Sequence, residues 1–164
     1  MTGGKVMEIK AIDKTNRTQV NSFIKEHWYT TEMVVGGRIV DMSVLEGFVL
    51  YNDKNIEGLI TYEIIGHSCE IMSLDSVVEK RGYGSMLLEK VVNKAGEKHC
   101  NCVHLITTND NLNALGFYQK RGFDMVEIYR NAVTEARKIK PSIPLIGDFG
   151  IPLKHEIELE MNIS

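Results

Sequence analysis

Ser68-Cys69-Glu70-Ile71-Met72-Ser73-Leu74, followed after a polar connection by Gly82-Tyr83-Gly84-Ser85-Met86-Leu87-Leu88, is the stretch on which the fold turns. The first half is an apolar-rich run of strand length. Past the glycines, Met86, Leu87, Leu88, Val91, Val92 and Ala95 fall on one stripe and predict a helix over 85–98. Cys102 to Thr107 is again mostly apolar and predicts a strand. Strand, helix, strand in that order is a right-handed crossover with parallel strands at its two ends.

Working outward, Glu46 to Tyr51 and Glu57 to Ile65 are strand-like runs around the turn-forming Asn52-Asp53-Lys54-Asn55, and Gly66-His67 turns into the strand at Ser68. That is an antiparallel meander. Val6 to Ile12 alternates as a first strand, and Val20, Phe23, Ile24 and Trp28 have the spacing of a half-buried helix over 15–28. Downstream, Asp110-Asn111 offers an N-cap to a short helix ending near Arg121, and Gly122 fits the left-handed residue past its end. Strands follow over 123–129 and 155–163, separated by a helix over 131–140 and an ordered loop between Pro141 and Pro152 that contains Gly147 and Gly150. Glu156, Glu158 and Glu160 alternate with Ile157, Leu159 and Met161, most simply as a solvated strand face, though one that could attract a cationic acceptor.

The chain has 164 residues, 43% hydrophobic and 25% charged, enough for one globular domain over 1–164 with a real core. A net charge of -3 supplies no overall basic field for nucleic acid or an anionic membrane. Neither a spanning apolar run nor a signal-type segment is present, so a cytoplasmic location is expected. Cys69, Cys100 and Cys102 lack the spacing of a zinc hairpin and are expected as reduced thiols, with no metal.

The Gly82-Tyr83-Gly84-Ser85 turn stands at a helix N-terminus, where free amides carry partial positive charge and glycine permits close backbone approach. Lys80 and Arg81 add full charges, so a phosphate or pyrophosphate suits it. It is neither a dinucleotide fingerprint, because Leu87 stands where the third glycine would be, nor a P-loop, because Gly-Lys-Ser/Thr is missing.

A second segment, Asn111-Leu112-Asn113-Ala114-Leu115-Gly116-Phe117-Tyr118-Gln119-Lys120-Arg121-Gly122-Phe123, completes a pair of motifs at a characteristic separation. With both, the chain resembles the GNAT superfamily of acyl-CoA-dependent N-acetyltransferases, closely over about residues 70 to 130. In that family Gln/Arg-x-x-Gly-x-Gly/Ala binds the CoA pyrophosphate through backbone amides; Gly82 and Gly84 match, while Glu79 replaces the usual Gln or Arg and leaves Lys80 and Arg81 to compensate. The resemblance implies an α/β fold with a mixed, mostly antiparallel sheet of about seven strands, helices on both faces and a splayed parallel strand pair. It implies acetyl-CoA as co-substrate, held by Leu74, Val77, Val78, Arg81, Gly82, Tyr83, Gly84, Ser85, Asn111, Ala114 and Tyr118. Asn111 would bond the pantetheine arm, and Tyr118 would sit by the thioester sulfur as general acid.

The chemistry sets further requirements. An alkyl amine is neutral in only about one molecule in 2,500 at pH 7, so a base, or a water chain to one, helps deliver the nucleophile. Glu70 is favoured for that role, by resemblance to the histone-acetylating branch, with Asp75, Glu63 and His67 as the other candidates. The attacked carbonyl needs a donor, which the backbone of the strand ending near Leu74 can give. Trp28, Tyr29 and Glu32 fall where such enzymes build the acceptor pocket, and the Pro141–Pro152 loop could fold over it as a lid. The expected activity is direct acetyl transfer to a primary amine of a small molecule, without nucleic-acid or membrane partners and with a homodimer implied by resemblance. The alternatives are a non-catalytic acyl-CoA-binding module and an acetyltransferase for protein lysine or N-terminal amines.

Overall fold

The computed structural model describes residues 7–77 and 82–164. Its elements in chain order are β1 (Met7–Ala11), α1 (Arg17–Trp28), β2 (Glu32–Val35), β3 (Arg38–Asp41), β4 (Glu46–Asn52), β5 (Asn55–Ile65), β6 (Ser68–Ser76), α2 (Tyr83–Glu97), β7 (Cys102–Thr108), α3 (Leu112–Gln119), β8 (Asp124–Tyr129), α4 (Ala132–Ile139) and β9 (Glu156–Asn162). Seven strands form one sheet in the order β1-β4-β5-β6-β7-β9-β8, while β2 and β3 pair only with each other. Every neighbouring pair is antiparallel except β6 with β7, whose connection runs through α2. The fold is the expected mixed sheet with one parallel pair.

Alternation along the strands gives the sheet two apolar faces. On one, Leu50, Ile60, Cys69, Val103, Leu105 and Leu159 are buried against Leu87, Leu88 and Val91 of α2. On the other, Val49, Leu59 and Met72 are buried against Val20, Phe23 and Ile24 of α1 and against Val35, Val40 and Met42. Each such side chain contributes about 1.5–3 kcal/mol of burial, so the two clusters fix helices α1 and α2 on opposite faces.

The register of β6 creates the feature that matters most. It pairs with β7 only over Ser68–Ile71 against Cys102–Leu105. Beyond that point β6 continues with β5 and β7 continues with β9, so the parallel strands part. Opposite Thr61 and Tyr62, the pairing jumps from Ser73 to Ile71, leaving Met72 as an extra residue. Such a bulge bends the strand and turns Met72 and Ser73 toward the α1 face together. A gap therefore opens beside Leu74, and the N-terminus of α2 lies at its rim.

The β2–β3 hairpin is not anticipated above. Its two strands have four residues each, and its turn is Gly36-Gly37, with φ of 60° and 77°. A glycine pair between short apolar runs is a hairpin signal. Elsewhere element ends shift by a few residues, and Gly122, at φ 94°, takes the left-handed conformation expected of it.

Candidate active site

One cleft of about 830 Å³ runs through the gap, from the first turn of α2, past α3, to a wall built from β2, α4, the Pro141–Pro152 loop and the start of β9. At the α2 end, Gly82 has φ 76°, a conformation that side-chain-bearing residues adopt only at a cost, and it caps the helix. Gly84 packs closely: a Cβ there would lie 3.3 Å from the Phe117 ring, which would have to give by a few tenths of an ångström. The first intrahelical bond from this end is Met86 N–H to Gly82 C=O, so the amides of Tyr83, Gly84 and Ser85 precede the hydrogen-bonded ladder. Gly82, Tyr83, Gly84 and Ser85 all line the cleft.

Arg121 stands beside these amides. Its Nε donates to Ser85 Oγ at 2.9 Å, its Nη1 donates to Phe117 O at 2.9 Å, and its guanidinium stacks 3.7 Å from the Phe117 ring centroid. A fixed cation next to a helix N-terminus suits a polyanion. Asn111 caps α3: its Oδ1 accepts from Ala114 N–H at 3.2 Å, and its Nδ2 donates to Thr107 Oγ1 at 3.1 Å. One Nδ2 hydrogen remains for a ligand. Ala114, one turn into α3, lines the same wall.

Tyr118 lines the cleft from α3 although it is only 4% exposed, with Phe117 and Phe123 set edge-on at 5.0 and 5.2 Å. Burial pushes its phenol well above the ordinary tyrosine value, the negative charge of Asp75 pushes it further, and Arg121 opposes both. Asp75, on β6, accepts a 2.9 Å hydrogen bond from Trp28 Nε1 at Oδ2. Burial raises its carboxyl above the usual aspartate range, against the lowering effects of the indole N–H and His27. The Asp75 charge thus bears on the Tyr118 phenol, although among the described residues Asp75 is reached from the cleft only by way of Trp28.

The far end is more enclosed. Lys140 Nζ donates to Glu32 O at 3.3 Å, tying α4 to β2. Arg137 holds the loop by donating to the carbonyls of Ile143, Pro144 and Leu153. Asp110 accepts from Asp148 N–H at 2.8 Å, and a Cβ at Gly147 would collide with that carboxylate at 2.1 Å. Ile143, Asp148 and Leu153 consequently form part of the cleft wall. Glu156 lines it too, 6% exposed, and burial raises its carboxyl above the ordinary glutamate value.

Of the residues expected from sequence, Leu74, Gly82, Tyr83, Gly84, Ser85, Asn111, Ala114, Tyr118, Trp28 and Glu32 share this cleft. Val78 and Arg81, with Glu79 and Lys80, lie outside the described residues. Three others are not in its lining. Val77 is 52% exposed and its amide donates to Glu57 O at 2.8 Å, which commits it to the sheet. Tyr29 is 91% exposed, because it ends α1 at φ 61° and swings into solvent. Glu70 lies where β6 is still paired with β7, facing the β2–β3 hairpin, with Arg38 Nη2 3.6 Å away. Glu63 meets the same guanidinium at 3.5 Å, and His67 lies at the opposite end of β6. Arg121, Lys140 and Glu156 are site residues the sequence reading did not assign. Arg121 has a local signal, a cation immediately before the capping Gly122, whereas Glu156 sits in an acidic stripe whose cover is remote in sequence. Contrary to the solvated-face expectation, the β2–β3 turn lies over Glu156.

Residues 15–123 match the model of the family described as Acetyltransferase (GNAT) family. Two Bacillus subtilis (strain 168) proteins, each described as uncharacterized, are similar over most of their length. YdhI is 45% identical over 139 residues, spanning 84% of this chain and 87% of its own. YxbD is 46% identical over 141 residues, spanning 85% and 89%. Among solved structures, a GNAT family acetyltransferase from Elizabethkingia anophelis with acetyl-CoA bound superposes with a TM-score of 0.69 at 18% identity, over 96% of this chain and 98% of that one.

Proposed function

The chain belongs to the GNAT family of acetyltransferases, and from that premise we propose that it moves an acetyl group from acetyl-CoA to a primary amine of a small molecule, by direct attack while both are bound. The observation that carries this reading is the single cleft that joins the amide-rich α2 turn, the buried Tyr118 and the carboxylate end. Its fit to the co-substrate rests on the amides of Tyr83, Gly84 and Ser85 with Arg121 for the diphosphate, and on the parted strands for the pantetheine arm. When bound, acetyl-CoA supplies an activated thioester.

The chain's own groups do the rest. The β6 edge that no longer pairs with β7, near Leu74, offers backbone donors toward the attacked carbonyl. Asp75 takes the proton of the attacking amine at its carboxylate, a better base for being held above the ordinary aspartate range. Neither Asp75 nor Glu70 is itself in the cleft lining; we assign the role to Asp75 because it is hydrogen-bonded to Trp28, which lines the cleft, and its charge acts on Tyr118, whereas Glu70 faces Arg38. Tyr118 Oη donates its proton to the departing sulfur. The coupling between the two favours the sequence of events: while Asp75 is charged it holds the phenol's proton, and once Asp75 is protonated that hold is gone. No nucleophilic cysteine is needed, and burial pushes the Cys69 thiol up to about 12.

The cleft wall formed by Ile143, Asp148 and Leu153 favours a compact acceptor over a protein segment. Free-thiol release from acetyl-CoA, measured against polyamines, amino acids, aminoglycosides and lysine peptides, tests the proposal. Turnover with a small amine is expected. Turnover with peptides alone would move the acceptor class to proteins, and protection by acetyl-CoA against heating without turnover would leave only a binding module.

A further inference from the structure

Among the described residues, Glu156 is a buried carboxylate of the cleft lining whose chemistry the transfer reaction does not use. It is 94% buried by the complement of its 6% exposure, and its Oε2 receives a single long hydrogen bond, 3.5 Å, from Gly36 N–H. Among the described residues no Lys, Arg or His nitrogen forms an ion pair with it. The charged group acting on it is another carboxylate, Glu70. A carboxylate has about four acceptor sites, and among the described residues only Gly36 N–H bonds to this one, so its remaining capacity is open to the cleft it lines. Burying such a group without a counter-charge is costly unless a ligand brings one.

Its position relative to the chemistry separates it from Asp75. The charges that act on Tyr118 are those of Asp75 and Arg121, and Glu156 is not among them. On β9 it stands opposite Thr108 and Tyr129, under the Gly36 turn, at the end of the cleft away from α2. Val34, Val35, Ile106 and Leu153 supply apolar wall in the same cleft. One carboxylate serves the reacting centre, and a second waits elsewhere without a cation.

We propose that Glu156 anchors an ammonium group of the acceptor, so that the substrate is an amine carrying a second cationic centre separated from the reacting nitrogen by a short apolar spacer. This rests on the reading of the cleft as an amine acetyltransferase site. Lys140, the lysine that lines the cleft among the described residues, is already directed to Glu32 O, which leaves the anchor to the ligand.

Steady-state thiol release with terminal diamines of three to six carbons, each set against the n-alkylamine of equal length, tests it. The diamine preference in kcat/KM should reach about 10- to 100-fold for the best-fitting length, carried mainly by KM, as for a hydrogen bond between charged groups. Glu156→Gln should collapse that preference toward the statistical factor of two that two equivalent amines provide, and Glu156→Asp should restore part of it. A merely structural role would lower both amines together and leave the ratio standing, which would overturn the proposal, as would equal use of the two amines by the wild-type protein. Release with neither amine overturns this inference, and the amine-acceptor reading falls with it only if the wider panel of amino acids, aminoglycosides and peptides also gives none; release with both and no preference removes this inference alone. Calorimetric titration of the wild-type protein with the same pairs reads the preference without turnover, so the result does not depend on a variant that folds; equal binding of both members of every pair counts against the anchor.

Discussion

The two ends of the cleft are built on different principles. The α2 end comes from two continuous segments, with Gly82 to Ser85 and Asn111 to Arg121 each presenting their groups from one helix terminus or one helix face. The other end, where the acceptor is proposed to bind, is assembled from α1, β2, α4, the Pro141–Pro152 loop and β9, elements linked by long-range bonds such as Lys140 to Glu32 and Gly36 to Glu156. Local backbone geometry therefore dictates the first end, while side-chain packing between distant segments dictates the second. The difference fits a division in which a constant co-substrate meets the helix-terminus end and a chain-specific acceptor meets the assembled one.

The strongest way to break that division is Tyr118→Phe, which removes the proton donor from the α2 side while keeping the ring packed against Phe117 and Phe123. Turnover should fall about 1,000-fold, with acetyl-CoA affinity by calorimetry nearly unchanged; equal turnover in the two proteins removes the acid role. Next, Asp75→Asn should lower kcat by about 100-fold and abolish the acid limb of the kcat/KM profile. In the wild-type protein that limb should fall above the ordinary aspartate range, since burial raises Asp75, with activity lost as pH drops through it.

A smaller effect is expected where the diphosphate is proposed to bind. Arg121→Ala should weaken acetyl-CoA binding by about tenfold and flatten its salt dependence, while leaving the preference among amines as it was; a changed amine preference would show that the two ends are not separable. The smallest concerns stability. Glu156 is raised above its unfolded value, so the folded chain binds the extra proton, and stability falls as pH rises from the unfolded carboxyl range through the folded one. Glu156→Gln should accordingly raise Tm at pH 7 by about 2–4 °C, with the gain shrinking toward pH 4. A gain that persists unchanged at low pH would mean that charge is not its source.

Legibility followed the same division. Gly82, Gly84, Asn111, Ala114 and Tyr118 could be found because helix starts, caps and one-face spacings are local patterns, and the α2 crossover fixed the parallel pair. Trp28 has the spacing of a core residue, yet its indole N–H reaches Asp75 across 47 positions, a contact that periodicity cannot express. Tyr29 and Glu70 show the converse: neighbours in sequence to cleft residues, they lie outside its lining, one turned out by a left-handed helix end and the other held where β6 still pairs with β7 and Arg38 of β3 reaches it. The short β2–β3 hairpin carried a glycine-pair signal, but nothing local said which part of the sheet it would cover.

Apolar spacing, turn chemistry and two motifs pointed to the family, to the order of the elements apart from the β2–β3 hairpin, and to the helix terminus proposed to meet the co-substrate, because each of these depends on interactions within a few residues. Which carboxylate is hydrogen-bonded to Trp28, which lies under a hairpin 120 residues distant, and how the loop after α4 walls the cleft were decided only by tertiary packing. Alternation along a strand assigns a side chain to a face, but the charge state and purpose of that side chain depend on what folds over the face.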